Sequence, residues 1–189
     1  MTDKAFVTSD NPTAVYNIYL ERMGCIESGL ACRGVLLYMP LSPKIAVILY
    51  DDKVYKIGSR KQSFVDITNC NDIKELNNLT AINSYKTILF NPTMTSPAEL
   101  EWLGIQSDYF TPREMVVPMN DVGVDGVGII IGTHRVGLSC KLHLSIVKYL
   151  PRYATMNQKD FNCQSDRYRE SAYMKEELIR QYFFSPQKN

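Results

Sequence analysis

The chain has 189 residues, 45% of them hydrophobic and 22% charged, which is the composition and length of an ordinary globular domain. Twenty-one basic residues balance twenty acidic ones to a net charge of +1. This balance excludes a strong overall field that would drive non-specific binding to nucleic acids or anionic membranes, although a local basic patch remains compatible with it.

The five cysteines indicate a reducing, cytoplasmic setting. They are odd in number, widely separated and nowhere arranged as Cys-x-x-Cys, which argues against a disulfide framework or a structural zinc site. The N terminus lacks the basic and apolar regions of a secretory signal. The longest apolar runs, residues 45–50 and 127–131, are far shorter than the roughly 20 residues of a membrane-spanning helix.

The N-terminal third predicts short strands separated by turns. Phe6 to Thr8 reads as a strand that ends at Asn11-Pro12, because a residue before proline is pushed out of helical geometry. Residues 14–20 are rich in β-branched and aromatic side chains, which favours a second strand and leaves a helix as the alternative. Three glycines make residues 24–34 a loop.

Residues 35–57 predict three strands joined by two turns. The segments are 35–39, 45–50 and 53–57, and Asp51-Asp52 is typical of a tight hairpin between the last two. The run Ala46 to Tyr50 is apolar at every position, so we expect that strand to be central and covered on both faces. The alternating strand 53–57 is expected nearer an edge.

Helices and strands alternate in the rest of the chain. Ile73, Leu76 and Leu79 have helical spacing in residues 71–82, with Asn71 or Asp72 as the cap. The remaining segments are a strand at 86–90, a helix starting at Ser96-Pro97, glycine-rich strands at 116–137, a strand at 142–150 that ends at Pro151, and an amphipathic helix at 165–184. The prediction is one α+β domain over residues 1–189, with a mixed, mostly antiparallel sheet and two or three packed helices.

No complete catalytic motif is present. His134 and His143 are the only histidines and neither lies in a recognisable motif. The glycines of GVDGVGIIIG precede a β-branched run rather than a helix, which does not fit a dinucleotide fingerprint, and a P-loop is excluded by the absence of Gly-Lys-Ser/Thr. Whether the protein is an enzyme is left open, and no cofactor is identified.

A metal-dependent nuclease is one hypothesis. Asp51, Asp52 and Lys53 follow an apolar strand, and Asp10 at another strand end could supply a further carboxylate to Mg²⁺. Lysine beside such a site would stabilise developing negative charge. The alternative is that Asp-Asp-Lys only forms an exposed turn.

Polar residues at strand ends form a second candidate site. They are Asp10, Asn11, Ser42, Lys44 and Asn77. Asn77 and its neighbour Asn78 interrupt a helix pattern with poor helix formers, which requires a compensating cap, hydrogen bond or ligand. Ser-Asp-Asn-Pro and Leu-Ser-Pro-Lys are also good turn formers, so a purely structural role is the alternative.

Three segments resemble a known family. FVTSDNP, MPLSPKIAVILYDDKVYKI and ELNNLTAINSYKTILF occur in the order found in the C-terminal half of a bacterial family of uncharacterised proteins with a His-Tyr-Val-Pro motif near their N terminus. The likeness covers residues 5–90, with 1–92 as the family-like core and 93–189 as an unassigned continuation. The motif itself is absent here. The resemblance implies a shortened relative, a fragment or one half of a split protein, and it implies candidate positions without a reaction.

The leading functional hypothesis is an interaction or regulatory module, from a bacterial or mobile-element setting, that acts through a partner protein or self-association. The missing family motif and the incomplete catalytic groups motivate it. The nuclease is the alternative. A third hypothesis is a nucleic-acid binder that uses Arg152, Arg167, Tyr168 and Arg169.

Overall fold

A computed structural model describes most of the chain. The described residues are 4–25, 29–58, 63–108, 114–119, 130–135, 140–163, 165–166 and 168–169. Side chains are described in these ranges except at residues 105–108, 114–119 and 130–135. Among the described residues, no helix combines the length and the apolar character needed to cross a membrane.

Short strands and helices alternate along the chain. The strands are β1 (Thr8–Ser9), β2 (Ala14–Tyr16), β3 (Leu36–Ser42), β4 (Ile45–Tyr50), β5 (Tyr55–Ile57), β6 (Ile88–Leu89), β7 (Glu114–Met119), β8 (Ile130–Arg135) and β9 (Val147–Tyr149). The helices are α1 (Ile18–Arg22), α2 (Cys70–Asn83), α3 (Pro97–Asp108) and α4 (Pro151–Ala154), followed by a 3-10 turn at Gln158–Asp160. The predicted α+β class is confirmed.

The described strands form four antiparallel sheets rather than one. The largest has the order β2-β3-β4, and the others pair β1 with β6, β5 with β9, and β7 with β8. In the largest sheet Ala14, Tyr38 and Ile48 are cross-strand neighbours, so these residues share one face. That face carries the main core.

The main core lies between this sheet and α2. Ile73, Leu76 and Leu79 of α2 pack in one cluster with Phe6, Tyr38 and others, as their helical spacing predicts. Leu142 and Leu144 belong to the same cluster, so a segment far along the chain completes it. A second cluster surrounds the fully buried Tyr19, and includes Val54, Tyr55 and Tyr153.

The helix predictions are confirmed in position and corrected in detail. α2 spans 70–83 against the predicted 71–82, but its cap is Asn69, whose side chain accepts a hydrogen bond from the Asn71 amide. α3 begins at Pro97 as predicted. Residues 14–20 divide between β2 and α1, because the Asn17 side chain caps a helix by accepting from the Leu20 amide.

Two predictions for the middle strands are wrong. In the sheet formed by the described strands, β4 is an edge strand rather than a central one, and its Ile45 and Leu49 are 56% and 60% exposed. The predicted hairpin at Asp51-Asp52 does not form, because β5 pairs with β9 rather than with β4. The turn residues Asp51-Asp52 favour a hairpin locally, but β5 pairs instead with β9, which lies almost a hundred residues later in the sequence.

Three predictions for the C-terminal half also need correction. Only residues 147–149 of the predicted strand 142–150 are β-structure, and Pro151 begins α4. Tyr168 forms a β-bridge with Cys32, so the predicted helix does not begin at Ser165, and residues 170–184 lie outside the described residues. Strands β7 and β8 confirm paired strands in the glycine-rich segment, although residues 120–129 lie outside the described residues.

A disulfide joins Cys25 to Cys163, which are 138 residues apart in the sequence. The number and spacing of the cysteines argued against a disulfide framework, and they did not indicate this pair. Cys32, Cys70 and Cys140 are not disulfide-bonded.

Candidate functional site

The Asp10 side chain binds the backbone segment that follows α2. Its two carboxylate oxygens accept hydrogen bonds from the amides of Tyr85 and Lys86, each at 2.9 Å. The Asp10 amide in turn donates to the Thr87 carbonyl at 3.1 Å. The bond from the Tyr85 amide is the main cause that lowers the pKa of Asp10 below its usual value.

Asn11 binds the end of the same helix. Its side-chain amide donates to the Asn83 carbonyl at 3.1 Å, and the Asn83 side chain donates to the carbonyls of Asn11 and Thr13 at 2.8 and 3.1 Å. These reciprocal bonds satisfy carbonyl groups at the C-terminal end of α2 and after β1. Asp10 and Asn11 therefore fix the N-terminal segment to α2.

Asn77 acts as a bridge between α2 and the segment before β1. Its side chain is fully buried, its Oδ1 accepts from the Val7 amide at 3.0 Å, and its Nδ2 donates to the Ala5 carbonyl at 2.9 Å. Its Nδ2 also lies 3.5 Å from an oxygen of Glu99, which forms an ion pair with Lys4. These bonds explain why a poor helix former lies inside α2.

Ser42 and Lys44 lie in the turn between β3 and β4. The Ser42 hydroxyl accepts from the amides of Lys44 and Ile45 at 3.3 and 3.1 Å. The Phe6 amide donates to the neighbouring Pro43 carbonyl at 3.0 Å, which brings the N-terminal segment against this turn. Of the five predicted strand-end residues, the structure brings Asp10 and Asn11 together, and it places only Ser42 in the wall of a groove.

Asp51 is a buried turn residue. One carboxylate oxygen accepts from the Gly34 amide and the other from the Lys53 amide, both at 3.0 Å, and Arg169 Nε lies 3.6 Å away. Asp52 and Lys53 are exposed. Within the described part of the chain, no group of three or more His, Cys, Asp or Glu side chains could hold a metal ion. The Mg²⁺ hypothesis stays a prediction without geometric support.

The basic residues proposed for nucleic acids have other contacts. Arg169 faces Asp51, and Arg152 lies over the Tyr153 ring with 5.7 Å from its guanidinium carbon to the ring centre. Arg167 lies outside the described residues. Tyr168 is held in the bridge to Cys32.

A cavity of about 540 Å³ lies beside α1 and residues 141–149. Its walls include Glu21, whose carboxylate oxygen accepts from the Lys141 amide at 3.0 Å. The Tyr16 hydroxyl accepts from the amide of the preceding residue, Cys140, also at 3.0 Å. Burial raises the pKa of the Cys140 thiol to about 12, which keeps it protonated. His143 lines the cavity and is exposed, whereas the His134 side chain lies outside the described residues. These contacts anchor residues 140–144, and they do not assemble a nucleophile with a base.

An apolar groove of about 460 Å³ lies where the N-terminal segment meets the β3–β4 turn and the segment after β6. Its wall contains Phe6, Leu41, Leu89 and Phe90, of which Leu41 and Leu89 are more than half exposed. Exposed side chains of this size in one depression are typical of a contact surface rather than of a core.

The groove adjoins an apolar sheet surface that sequence reasoning missed. Alternation along β2, β3 and β4 places seven apolar side chains opposite the core, and we call this surface the outer sheet face. Its residues are Val15, Leu37, Met39, Leu41, Ile45, Val47 and Leu49. None of them belongs to a hydrophobic cluster of the described residues.

The same strand has an unpaired edge. Among the described residues, β4 pairs with β3 on one side and with no strand on the other. The six residues of β4 contain no charge and no proline, which are the usual protection of an exposed edge. The sequence signal was that alternate residues of β3 (37, 39 and 41) and of β4 (45, 47 and 49) are all apolar. These positions form a second apolar face, opposite the core face.

Residues 1–94 match the model of a family described as "Protein of unknown function (DUF4238)". The match covers just under half of the 189 residues and includes β1 to β6, hence both the groove and the outer sheet face. It supports the expectation of an uncharacterised domain in the N-terminal part. The bacterial setting and the relation to a His-Tyr-Val-Pro family stay predictions. No curated protein and no solved structure matches the chain.

Proposed function

We propose that this protein is an interaction module that binds an extended segment of a partner protein as an additional strand on the free edge of β4. The observation that carries the proposal is an apolar, uncharged edge strand whose Ile45 and Leu49 side chains are more than half exposed. Extended peptides commonly bind exposed sheet edges in this way, with backbone hydrogen bonds for affinity and alternate side chains for specificity.

Hydrogen bonding identifies which backbone groups of β4 face the partner. The Asp51 amide donates to the Val35 carbonyl at 3.1 Å, one register step beyond the Leu36–Tyr50 pair. In an antiparallel ladder hydrogen-bonded pairs alternate with pairs that are not bonded. Val47 and Leu49 therefore bond to β3, whereas the amides and carbonyls of Ala46 and Ile48 point to the free edge.

A proline scan of β4 tests the proposal. Ala46→Pro removes an amide on the free edge and leaves the β3–β4 bonds intact, whereas Val47→Pro removes a bond within the sheet. The probes are extended peptides selected from a random displayed library on the wild-type protein. We expect the selected peptides to alternate apolar residues and to lose at least about tenfold in affinity for Ala46→Pro, which matches the loss of about one hydrogen bond.

The control is Phe64→Ala, which removes a side chain that is 90% exposed in an irregular segment between β5 and α2. This variant should keep wild-type affinity for the same peptides. Unfolding curves establish that Ala46→Pro is folded and that Val47→Pro is the less stable of the two. Selected peptides that bind Ala46→Pro as tightly as the wild type, or a library that yields none, would exclude strand addition at β4.

A further inference from the structure

The cavity beside α1 has the size and the apolar wall of a small-molecule site. Its volume of about 540 Å³ lies within the range that is typical of ligand pockets. Its apolar wall consists of Ile18, Leu142, Leu144, Val147 and Tyr149. Two of these residues, Leu142 and Leu144, also belong to the main core, so packing fixes this wall. None of the six residues of β4 lines the cavity, which is therefore separate from the edge proposed for strand addition.

Arg22 supplies a cation that is positioned before any ligand binds. Its guanidinium carbon lies 4.1 Å from the centre of the Tyr149 ring, and its Nη2 donates to the Tyr153 carbonyl. The Arg22 carbonyl accepts from the Gln158 side chain at 2.6 Å, which fixes the backbone of the same residue. Arg22 and Gln158 both line the cavity. A guanidinium that is already held in place loses little conformational entropy when it binds an anion.

Lys141 and His143 bring two more basic side chains to the cavity. Both are exposed, whereas the alternate residues Leu142 and Leu144 are buried. Lys141 has φ +52°, and in the described part of the chain it is the single non-glycine residue with a positive φ. The Glu21 carboxylate supports this conformation by accepting from the Lys141 amide at 3.0 Å. Unfavourable backbone conformations that are held by a specific contact are concentrated at binding sites.

The charges of the cavity match a ligand with one negative charge. Arg22 and Lys141 are cationic at neutral pH and Glu21 is anionic, so these three side chains leave one positive charge uncompensated. His143 adds to this charge when it is protonated. A dianion would place a second negative charge near Glu21, and an inorganic anion would leave the apolar wall in contact with water.

We propose that this cavity binds a small organic carboxylate. Arg22 and Lys141 bind the carboxylate group through charge-assisted hydrogen bonds. The apolar body of the molecule contacts Ile18, Leu144 and Val147, which removes its surface from water. Affinity requires both parts of the ligand, because the cavity offers both a positive charge and an apolar wall.

Carboxylates and their neutral amides test the charge requirement. The probes are benzoate, phenylacetate and isovalerate, the three corresponding amides, and inorganic phosphate. Each is titrated into the isotope-labelled full chain, and the backbone amide resonances of residues 140–144 are followed by NMR. We expect at least one carboxylate to shift these resonances in a saturable manner, and its amide and phosphate to bind at least about tenfold more weakly, as the loss of one charge-assisted hydrogen bond implies.

Three results would overturn the proposal. The first is an amide that binds as tightly as its carboxylate, since the charge would then contribute nothing. The second is phosphate that binds as tightly as the carboxylates, since the apolar wall would then contribute nothing. The third is the absence of a saturable shift with all three carboxylates.

Variants of the basic residues locate the carboxylate group. Lys141→Gln changes an exposed side chain and should weaken carboxylate binding by about threefold or more, without affecting the amides. Arg22→Gln should weaken it by at least about tenfold. Unfolding curves establish whether Arg22→Gln is folded, and Lys141→Gln tests the site even if it is not. Unchanged carboxylate affinity in Lys141→Gln would contradict the assignment.

Lys148→Gln is the matched control. Lys148 is an exposed lysine in the middle of β9, and its side chain lies on the opposite face of the strand from Val147 and Tyr149, which line the cavity. The variant removes the same charge at a short distance along the chain and should keep wild-type affinity. If Lys148→Gln weakens binding as much as Lys141→Gln, the effect is one of net charge and the proposed site is excluded.

Discussion

Replacing Asn77 by alanine should lower the free energy of unfolding, because it removes two buried hydrogen bonds. The substitution leaves the Val7 amide and the Ala5 carbonyl without the partners they have at 3.0 and 2.9 Å, in a place where the Asn77 side chain is fully buried. An unsatisfied buried polar group costs about 1–3 kcal/mol, so two groups cost roughly 2–6 kcal/mol. The better helix propensity of alanine returns about 0.5 kcal/mol. The expected net loss in the free energy of unfolding is therefore roughly 2–5 kcal/mol.

Urea denaturation followed by the fluorescence of Trp102 measures this loss, because Trp102 is the single tryptophan and packs in the small cluster that contains Val7. Asn78→Ala is the matched control: Asn78 is also buried in α2, but its Oδ1 has no hydrogen-bond partner among the described residues. The control should change stability by less than about 1 kcal/mol. If both variants lose the same free energy, the argument that Asn77 holds the N-terminal segment through its hydrogen bonds is refuted.

Three further predictions follow from single contacts. The lowered pKa of Asp10 means that its bonds to Tyr85 and Lys86 stabilise the fold above its unfolded pKa, near 3.8, and that this contribution is lost as pH falls through the lower folded pKa. Asp10→Asn should therefore be less stable than the wild type at pH 7, with the difference shrinking toward pH 2 in thermal unfolding; a constant difference would contradict it. Gly34→Ala should lower the free energy of unfolding by about 2 kcal/mol or more, because Gly34 has φ +76° and a Cβ there would lie 2.7 Å from the Tyr19 Cβ. Gly104→Ala should instead raise it by about 0.5–1 kcal/mol, since among the described residues nothing lies within 4 Å of the added Cβ. Partial burial and the pKa of about 12 should make the Cys140 thiol react with iodoacetamide at pH 8 at least about tenfold more slowly than the exposed Cys70, as peptide mass spectrometry will measure; equal rates would contradict the half-buried position.

Local signals located α2 and α3. The apolar spacing of Ile73, Leu76 and Leu79 and the Ser96-Pro97 start located α2 and α3 because each signal acts within a few residues of chain. β4 was predicted to be a central strand because its residues are apolar. An apolar run indicates that both faces of a strand avoid water, but it does not indicate which elements cover those faces. The hairpin at Asp51 was mispredicted, and the Cys25–Cys163 disulfide was not foreseen, for a related reason. The partner of Tyr55 is Tyr149 and that of Cys25 is Cys163, and both are distant in sequence.

The strand-end residues were correctly recognised as unusual, but only the structure gives each of them a partner. Asn77 was noted as a helix residue in need of compensation, and its backbone bonds to Ala5 and Val7 supply it. Those bonds join positions about 70 residues apart, and no local pattern encodes them. The second apolar face of β3 and β4 was present in the alternation of the sequence, whereas the unpaired edge of β4, which carries the proposed function, is shown only by the strand order.

The late position of Leu142 and Leu144 in the main core affects how the protein is made. A ribosome that has completed the matched segment 1–94 must add about 50 more residues before these two leucines can join Phe6 and Leu79. At about 5–20 residues per second this takes roughly 3–10 seconds. During that time the apolar face of α2 and the inner face of the sheet lack part of their packing, so the nascent chain offers chaperones a binding site that the finished protein does not have.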